Sequence, residues 1–408
     1  MKKLKIASLF SGCGGMDLGF EGGFDAHKSS LTHNELLTYD KFNSQGFIKL
    51  GELPFETVFA CDVNQKAKLA WENYFSKRRN VNDIYQVKSI VDIVKEMRNG
   101  SYAELRDINV VTGGFPCNDF SVAGKRLGFN SDKSHQGNKK IIQGDDDPTV
   151  ENRGMLYYWM REFISETRPK VFYAENVKGL VSLGNAVDII SKDFSTIKGA
   201  SYFMLPVQVL KAIEFGVPQT RERVIFIGIS KDHLKDDIRD FIDKNGNLPE
   251  EFDLYPARSH GLNVNGLRSY ATSGEAFSGL TEPDLSEDLA QREYSKAKHY
   301  GKKLQGGSEV NLNKPGPTIR AEHHGNIEFR RLSLEAGSIN NSEFHLPQRR
   351  LSVRECARIQ TFPDDYEFVK RPVLSASDGY RLIGNAVPPL LAYRLGQRLS
   401  EVWDQIFK

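Results

Sequence analysis

Short apolar runs alternate with amphipathic stretches over the first 230 residues, and this alternation constrains the fold more than any other feature of the sequence. The apolar runs have the length and composition of β-strands, and they cover residues 5–10, 57–61, 109–112, 171–174 and 224–229. Stretches with helical spacing cover residues 65–75 and 155–167. Strands alternating with helices predict an α/β fold, in which a doubly wound, mostly parallel sheet is covered on both faces. Ligands of such sheets bind at the loops that follow the strands.

The amino-acid composition changes at about Lys231, and from there to about Arg349 the chain is rich in glycine, asparagine, serine and charged residues. We predict a second, smaller, loop-rich domain there. Helical patterns return at 351–360 and 388–407, and the last of them is expected to pack on the first domain. The predicted division is a larger domain of residues 1–230, completed by 380–408, and a smaller domain of residues 231–379.

Two polar stretches interrupt the larger domain, at residues 25–56 and 130–152. Both are expected to be surface loops or insertions. The second contains three consecutive acidic residues, 145–147, which we interpret as a solvated loop in preference to a metal site.

Composition excludes several classes of protein. Apolar residues make up 39% and charged residues 26% of the 408 residues, as in ordinary globular chains. The apolar runs are too short to cross a bilayer, and the N-terminus is expected to lead into the first strand and not to be a signal peptide. The four cysteines have no paired spacing, which argues against zinc or disulfides and favours the cytoplasm. The net charge of +2 neither requires nor excludes a nucleic-acid partner.

A glycine-rich turn, FSGCGG at residues 10–15, follows the first predicted strand. Its glycines allow a tight turn and close approach to a ligand, with helix N–H groups available to a carboxylate. Taken alone, the pattern is also compatible with a simple turn. Asp62 ends the second predicted strand, where an acidic residue is placed to hold ribose hydroxyls.

Two further strand ends carry reactive side chains. Cys117 follows Gly-Gly-Phe-Pro after the strand at 109–112, and an exposed cysteine on such a turn can act as a thiolate nucleophile. The alternative is a buried, inert cysteine. Glu175 ends the strand at 171–174, where a partly desolvated carboxyl is suited to donating a proton. A capping or ion-paired glutamate is the alternative for that position.

The sequence Gln219-Thr-Arg221-Glu-Arg223 precedes the apolar run at 224–229. On a strand, alternate residues face one way, so that Gln219, Arg221 and Arg223 are expected to share a face. Two guanidiniums there could bind a phosphate, or fix a carboxylate and a base carbonyl. A solvated charged edge is the other interpretation.

These motifs, in this order and at strand ends, resemble those of the DNA cytosine-5 methyltransferase family. The resemblance rests on FSGCGG, FPCN, ENV, QTRER, a segment RRLSVRECARIQTFP at 349–363 and GNAVPP at 384–389. It spans nearly the whole chain except residues 231–349. It implies a Rossmann-like methyltransferase domain that uses S-adenosylmethionine, with S-adenosylhomocysteine as product and without a metal. The segment at 231–349 stands where the family has its target-recognition domain.

The resemblance also assigns catalytic roles. Cys117 matches the nucleophile that adds to C6 of cytosine, and Glu175 matches the carboxyl that contacts N3 and the exocyclic amine. Arg223 matches the arginine that reaches the base O2, and Arg221 matches its neighbour near the backbone and the catalytic loop. Because the target atom lies inside a duplex, the base must be flipped out.

The positions matched to the cofactor site are strand-end and glycine-turn residues: Phe10, Ser11, Gly12, Cys13, Gly14, Gly15, Asp62, Val63, Ser89, Ile90, Gly114, Pro116, Leu156, Asn385 and Val387. Asp62 stands where glutamate is commoner in the family. Two pairs of residues could contact the adenine. Ser89-Ile90 fits by position and is preferred, whereas Asp83-Ile84 fits by residue type. With Ser89-Ile90, the usual acidic contact to the adenine amine is absent.

The expected partner is double-stranded DNA. The residues matched to it, or placed to read base edges or contact phosphates, are Asn118, Ser121, Lys125, Arg126, Arg320, His323, His324 and Arg330. Asn118 replaces the family's commoner glutamine.

The family pattern further suggests a cytoplasmic monomer that protects DNA from a cognate restriction endonuclease, with no stable complex required. The alternatives are a tRNA cytosine-5 methyltransferase, which the long polar recognition segment disfavours, and a catalytically silent DNA-binding regulator, which the retained Cys117 and Glu175 disfavour. RNA methyltransferases with a second catalytic cysteine are disfavoured because Glu175 has no cysteine neighbour.

Overall fold

The computed structural model describes residues 3–116, 155–197, 199–296, 309–321, 329–336, 338 and 345–408. The strands of this part of the chain are β1 (Leu4–Leu9), β2 (Asp25–His27), β3 (Phe47–Lys49), β4 (Phe55–Asp62), β5 (Tyr85–Val87), β6 (Val110–Gly114), β7 (Val171–Val177), β8 (Tyr202–Met204), β9 (Gln208–Lys211), β10 (Glu222–Ser230), β11 (Phe329–Arg330) and β12 (Arg349–Arg350).

The α-helices of the described residues are α1 (Gly15–Glu21), α2 (His33–Thr38), α3 (Gln65–Phe75), α4 (Ile90–Arg98), α5 (Leu156–Thr167), α6 (Ala186–Ser195), α7 (Asp236–Asn245), α8 (Ser273–Ala276), α9 (Leu289–Arg292), α10 (Val353–Ile359), α11 (Ala376–Asn385) and α12 (Pro389–Ile406).

Within the described residues, the central sheet has eight strands: seven lie in the order β5-β4-β1-β6-β7-β10-β8, and the eighth, β9, pairs with β10. The first five strands are parallel, whereas β10 runs antiparallel to β7, β8 and β9. From β1 the chain moves outward through β4 to β5 and then returns to β6 on the other side of β1. A crevice therefore forms between β1 and β6, at the carboxyl ends of the strands.

The predicted doubly wound α/β fold is confirmed. All five predicted strands belong to the sheet, and α3 has the predicted bounds. Strands β5, β8 and β9 were not predicted from the sequence, and each contains only three or four residues. Runs of that length are too short to show a clear period.

The last helix, α12, packs along α1, as predicted. Gly19 makes this approach possible, because a Cβ there would lie 2.4 Å from both the Ala392 Cβ and the Pro389 carbonyl oxygen. Buried side chains of the later segment, such as Tyr255 and Ile359, belong to the same hydrophobic core as Phe20 of α1.

Residues 25–56 were expected to be a surface loop or an insertion; the loop is wrong, and the insertion stays a prediction. This segment contains α2 and the two-stranded sheet of β2 and β3, and several of its side chains are buried. Its polar residues make defined bonds: Glu35 pairs with Arg394 of α12, and the Ser29 carbonyl accepts a hydrogen bond from the His260 ring. The stretch at 130–152 lies outside the described residues.

Candidate active site and cofactor cavity

The glycine-rich turn after β1 has a left-handed main chain at alternate positions. The φ angles of Phe10, Gly12 and Gly14 are 53°, 54° and 78°. A Cβ on Gly14 would lie 2.5 Å from the Trp71 ring, and one on Gly15 would lie 2.2 Å from the Val387 carbonyl oxygen. Among the atoms that the structure describes, a Cβ on Gly12 would meet none nearer than 4.0 Å. Packing therefore requires glycine at 14 and 15, whereas position 12 faces open space.

This open space is part of a cavity of about 540 Å³ in the crevice at the carboxyl ends of β1, β4, β6 and β7. The residues predicted for the cofactor that line it are Phe10, Ser11, Gly12, Gly15, Asp62, Val63, Ser89, Ile90, Gly114, Pro116, Leu156, Asn385 and Val387. Cys13 and Gly14 are not among the lining residues. The Cys13 thiol is buried against the Leu382 carbonyl, because α11 packs on that side of the turn.

Asp62 ends β4 at the floor of the cavity. One carboxylate oxygen accepts the Gly12 N–H at 3.1 Å, and the other accepts the Asn64 N–H at 2.9 Å. Burial raises the pKa of Asp62, and these hydrogen bonds oppose the rise. The carboxylate is thus bonded to the glycine turn on one side and borders the cavity on the other, where hydroxyl groups of a ligand could donate to it.

Glu175 and Arg223 form an ion pair at the ends of two adjacent strands. Because β10 is antiparallel to β7, its beginning lies beside the end of β7, with Arg223 opposite Val177. Arg223 Nε lies 2.6 Å from Glu175 Oε1, and the two side chains are each about 10% exposed. The pair borders the same cavity as Asp62.

The neighbouring strand β6 leaves room for this pair. A Cβ on Gly114 would lie 2.8 Å from Glu175 Oε2, so glycine keeps that carboxylate oxygen free of steric contact. Asn176 Nδ2 donates to the Phe115 carbonyl at 3.1 Å and ties the end of β7 to the chain leaving β6. The carboxyl of Glu175 and the main chain at Pro116 are therefore held together at one strand edge.

Arg221 and Arg223 border the same cavity, but Arg221 lies outside the strand on which a shared face was predicted. Strand β10 begins only at Glu222. Arg221 is 1% exposed, and its guanidinium donates to three main-chain carbonyls, those of Ile319, Gly384 and Ala386. It therefore holds the main chain beside the cavity, in keeping with the place near the backbone that the resemblance implied, and its catalytic role stays a prediction.

Gln219 is fully buried and lies before the strand as well. Its amide nitrogen donates to the Gln360 side chain, and its amide oxygen accepts the Ile319 N–H at 3.0 Å. Residues 219–221 thus bind the 316–319 segment.

The DNA contact of Arg330 stays a prediction, but the structure gives this side chain an acidic partner within the protein. Arg330 is 8% exposed, and its guanidinium donates to Glu355 Oε1 at 2.8 Å. Arg349 binds the same carboxylate. Burial opposes ionisation of Glu355, but the hydrogen bonds and charges of both arginines outweigh it and hold its pKa at about 2. The sequence shows that residue 330 is an arginine, but it does not show that Glu355 is buried beside it.

Several predicted residues cannot be placed, because they lie outside the described residues: Cys117, Asn118, Ser121, Lys125, Arg126, His323 and His324. Arg320 is described, and its main chain packs against Gly384 at the end of α11. Ser89 and Ile90 border the cavity, whereas Asp83 and Ile84 are not among its lining residues.

Other lining residues were not predicted from the sequence, including Asn64, Gln65, Lys88, Arg381 and Leu382. Lys88 directly precedes the predicted pair at 89–90 and is bonded to Glu96 at 2.8 Å. Its position at the end of a strand could have identified Lys88 as a cavity residue, but that strand, β5, was not predicted. Arg381 and Leu382 belong to α11, which reaches the cavity only through tertiary packing.

Within the described ranges, no group of three or more histidine, cysteine, aspartate or glutamate side chains is arranged to hold a metal ion. None of the helices described is both long and apolar enough to span a membrane.

The doubly wound sheet, with a glycine turn and an acidic strand end at its switch point, places the protein in the class of Rossmann-like methyltransferases. The sequence matches the C-5 cytosine-specific DNA methylase family over residues 4–137 and 141–401, and the chain belongs to that family. The family resemblance is thereby confirmed, and the protein is a DNA cytosine-5 methyltransferase.

Individual relatives agree with this assignment. Type II methyltransferase M.BspRI of Lysinibacillus sphaericus is 31% identical over 98% of this chain and 82% of its own length. Type II methyltransferase M.NgoFVII of Neisseria gonorrhoeae is 29% identical over 100% of this chain and 89% of its own. The structure of the Entamoeba histolytica methyltransferase EhMeth covers 99% of both chains with a TM-score of 0.58 and 14% identity, and so shows the shared fold.

Proposed function

We propose that the protein methylates C5 of cytosine within a specific sequence of double-stranded DNA, through a covalent bond between Cys117 and C6 of a flipped-out base. The observation that carries this proposal is the Glu175–Arg223 pair, which borders a cavity lined by the glycine turn and Asp62. A hydrogen-bonding group for the base and a site for the methyl donor therefore adjoin one another.

The residues present fit S-adenosylmethionine as the methyl donor. Asp62 offers a carboxylate to ribose hydroxyls, and the open position at Gly12 lets the main chain approach the amino-acid end. Phe10 and Ile90 would border the adenine, with Ser89 beside it in place of the usual acidic residue. When bound, this cofactor supplies an electrophilic methyl group on a sulfonium.

Cys117 directly follows Pro116, which lines the cavity, although Cys117 itself is outside the described residues. In the proposed mechanism its thiolate forms a bond to C6, and the ring electrons move so that C5 becomes nucleophilic. After C5 is methylated, a base removes the C5 proton. Electrons of that C–H bond re-form the C5–C6 double bond and expel the thiolate.

Glu175 and Arg223 act on the polar edge of the base. Glu175 accepts a hydrogen bond from the exocyclic amine, and a proton taken up from solvent is shared between its carboxylate and N3 as negative charge develops there. Arg223 donates to O2. Because both groups are buried and fixed before the base enters, little reorganisation accompanies the addition step.

DNA recognition is proposed to reside in residues 231–349, with Arg320, His323 and His324 as candidate readers of base edges. Asn118, Ser121, Lys125 and Arg126 are proposed to contact the flipped-base site and phosphates. Arg330 is a further candidate for such a contact, with Glu355 accepting one of its guanidinium N–H groups. We further propose a cytoplasmic monomer that protects DNA from a companion restriction endonuclease, as expected from its type II relatives. Absence of a nuclease gene beside this one would count against that last role.

Bisulfite sequencing of DNA from a methylation-free host that expresses the chain tests the function. We expect methylation confined to one short sequence, lost in Cys117→Ala and in Glu175→Gln. Glu222→Gln is the matched control, because Glu222 lies on the adjacent strand but pairs with Lys178 at the surface. Unmodified cytosines despite folded protein would contradict the proposal, and methylation of tRNA by the same preparation would then favour the tRNA-modifying alternative.

A further inference from the structure

Two tyrosine hydroxyls hold the glycine-rich turn from outside the cavity. Tyr85 of β5 donates to the Gly12 carbonyl at 2.8 Å, and Tyr366 donates to the Cys13 carbonyl. Both side chains are at most 1% exposed, and neither is among the lining residues of the cavity. They therefore contact the turn and not the space in which a ligand would bind.

The wall behind the turn is aromatic and tightly packed. Trp71 stacks on Phe75 with ring centroids 4.4 Å apart, and its indole N–H donates to Asp17 at 2.7 Å. Burial raises the pKa of both tyrosines, so their hydroxyls stay protonated and able to donate. The two hydrogen bonds to the turn thus come from groups with little freedom to move.

Tyr366 belongs to the later part of the chain and is positioned by that part together with Tyr74 of α3. Its ring stacks between Tyr74 and Phe368, with centroid distances of 4.6 and 4.7 Å. Arg354 of α10 donates to the Tyr366 carbonyl at 3.2 Å and pairs with Asp288 at 2.6 Å. The Tyr366 hydroxyl therefore connects the segment after residue 231 to the turn.

We propose that Tyr85 and Tyr366 are positioning residues that fix the peptide groups at Gly12 and Cys13 for cofactor binding. A peptide unit is planar and trans, so a hydrogen bond to its carbonyl fixes the orientation of the whole unit. The unit between Cys13 and Gly14 is also held from its other side, because the Gly14 N–H donates to the Ser11 carbonyl at 2.8 Å. The conformation of the turn at Gly12, which borders the cavity, is fixed in this way. Glycine at 12 and 14 gives this turn many alternative conformations, and a ligand would otherwise have to select one of them. This inference rests on the cofactor site of the proposed function.

Calorimetric titration with S-adenosylhomocysteine tests the inference on the full chain and on three variants: Tyr85→Phe, Tyr366→Phe and Tyr380→Phe. Tyr380 is the matched control, since it is a buried tyrosine whose hydroxyl donates to the Leu351 carbonyl at 2.6 Å. Thermal unfolding of each variant measures the general cost of losing a buried hydroxyl.

We expect Tyr85→Phe and Tyr366→Phe to weaken binding about fivefold each, the usual effect of one hydrogen bond, and to raise the KM for S-adenosylmethionine but not for DNA. Tyr380→Phe should lose similar stability without a change in either constant. Two variants test the idea independently if one fails to fold. Equal binding by the full chain and the variants would overturn the inference alone, whereas no binding by the full chain would overturn the cofactor site and the inference together.

Discussion

At the scale of single residues, the space around Glu175 depends on the absence of a side chain at Gly114. The nearest atom to a Cβ at that position is Glu175 Oε2, at 2.8 Å. Real Cβ atoms do not approach so closely, so the carboxyl would have to move. Its partner Arg223, bonded at 2.6 Å, would then lose its geometry as well.

Gly114→Ala is expected to lower kcat by about 100-fold, because a displacement near 1 Å at a reacting centre has effects of that size. The protein should still fold, since the backbone at Gly114 is in an ordinary strand conformation. Steady-state methylation with labelled cofactor, together with thermal unfolding, measures both. Gly51→Ala is the control, because its Cβ would meet only the Tyr39 and Tyr393 hydroxyls at 3.6 and 3.9 Å. Full activity in Gly114→Ala would show that Glu175 tolerates displacement.

At the scale of elements, residues 25–56 join α12 to the segment after β10. Glu35 of α2 pairs with Arg394, and Arg268 donates to the Lys28 carbonyl at 2.7 Å. Buried His260 donates from Nε2 to the Ser29 carbonyl at 2.9 Å, while its Nδ1 lies 2.8 Å from the Ser259 hydroxyl. Residues 25–56 therefore link α12 to the segment after β10, although the sequence suggested a loop here.

His260 makes the stability of this link between residues 25–56 and the later segment sensitive to acid. Burial, with smaller effects from the charges of Arg268 and Arg394, lowers its pKa from 6.5 to about 4. Between these values the unfolded chain binds a proton that the folded chain excludes, so stability is complete above pH 6.5 and falls as the pH drops toward 4. From pH 7.5 to pH 5 the loss should be about 2 kcal/mol.

His260→Gln should remove this part of the pH dependence, because glutamine can keep the hydrogen bond to Ser29 without titrating. Urea unfolding at pH 7.5 and pH 5 measures it as a smaller difference between the two conditions. His33→Gln, at an exposed position, should behave as the unmodified protein does. An unchanged difference in His260→Gln would mean that other groups govern the acid loss.

At the scale of the whole molecule, Arg221 joins parts of the chain that are far apart in sequence. Its guanidinium donates to carbonyls of residues 319, 384 and 386, each at 2.9 Å. These belong to the segment after residue 231 and to the end of α11, both of which border the cavity or pack beside it. The planar guanidinium of arginine has N–H groups spread widely enough to bind several carbonyls at once, whereas the ammonium group of lysine is a compact charge that does not span them.

Arg221→Lys is expected to destabilise the protein by about 2–4 kcal/mol, since buried carbonyls would lose their donors. It should also lower activity, because the end of α11 lines the cavity. Urea unfolding and methylation rates measure the two effects. Arg239→Lys serves as control, because Arg239 forms an exposed pair with Asp236. Wild-type stability in Arg221→Lys would contradict the positioning role.

The sequence by itself determined the sheet, the strand ends and most of the cavity lining. Apolar runs set the strands, and a parallel sheet brings their carboxyl ends to one edge, so the amino-acid pattern alone puts Asp62, Gly114 and Glu175 at the same edge of the sheet. The motif order also determined the family. These properties depend on local pattern and on a general rule of topology.

Only the tertiary structure decided which cations were available and which groups supported the turn. Arg221, Arg223 and Arg330 look alike in the sequence, but their partners are a set of carbonyls, Glu175 and Glu355. Tyr366 reaches the Cys13 carbonyl across 353 residues of chain. Burying a charge or a hydroxyl costs free energy unless the group finds a hydrogen-bond acceptor, so the position of that acceptor determines where the side chain lies. When the acceptor is hundreds of residues away in sequence, only tertiary packing brings it into contact.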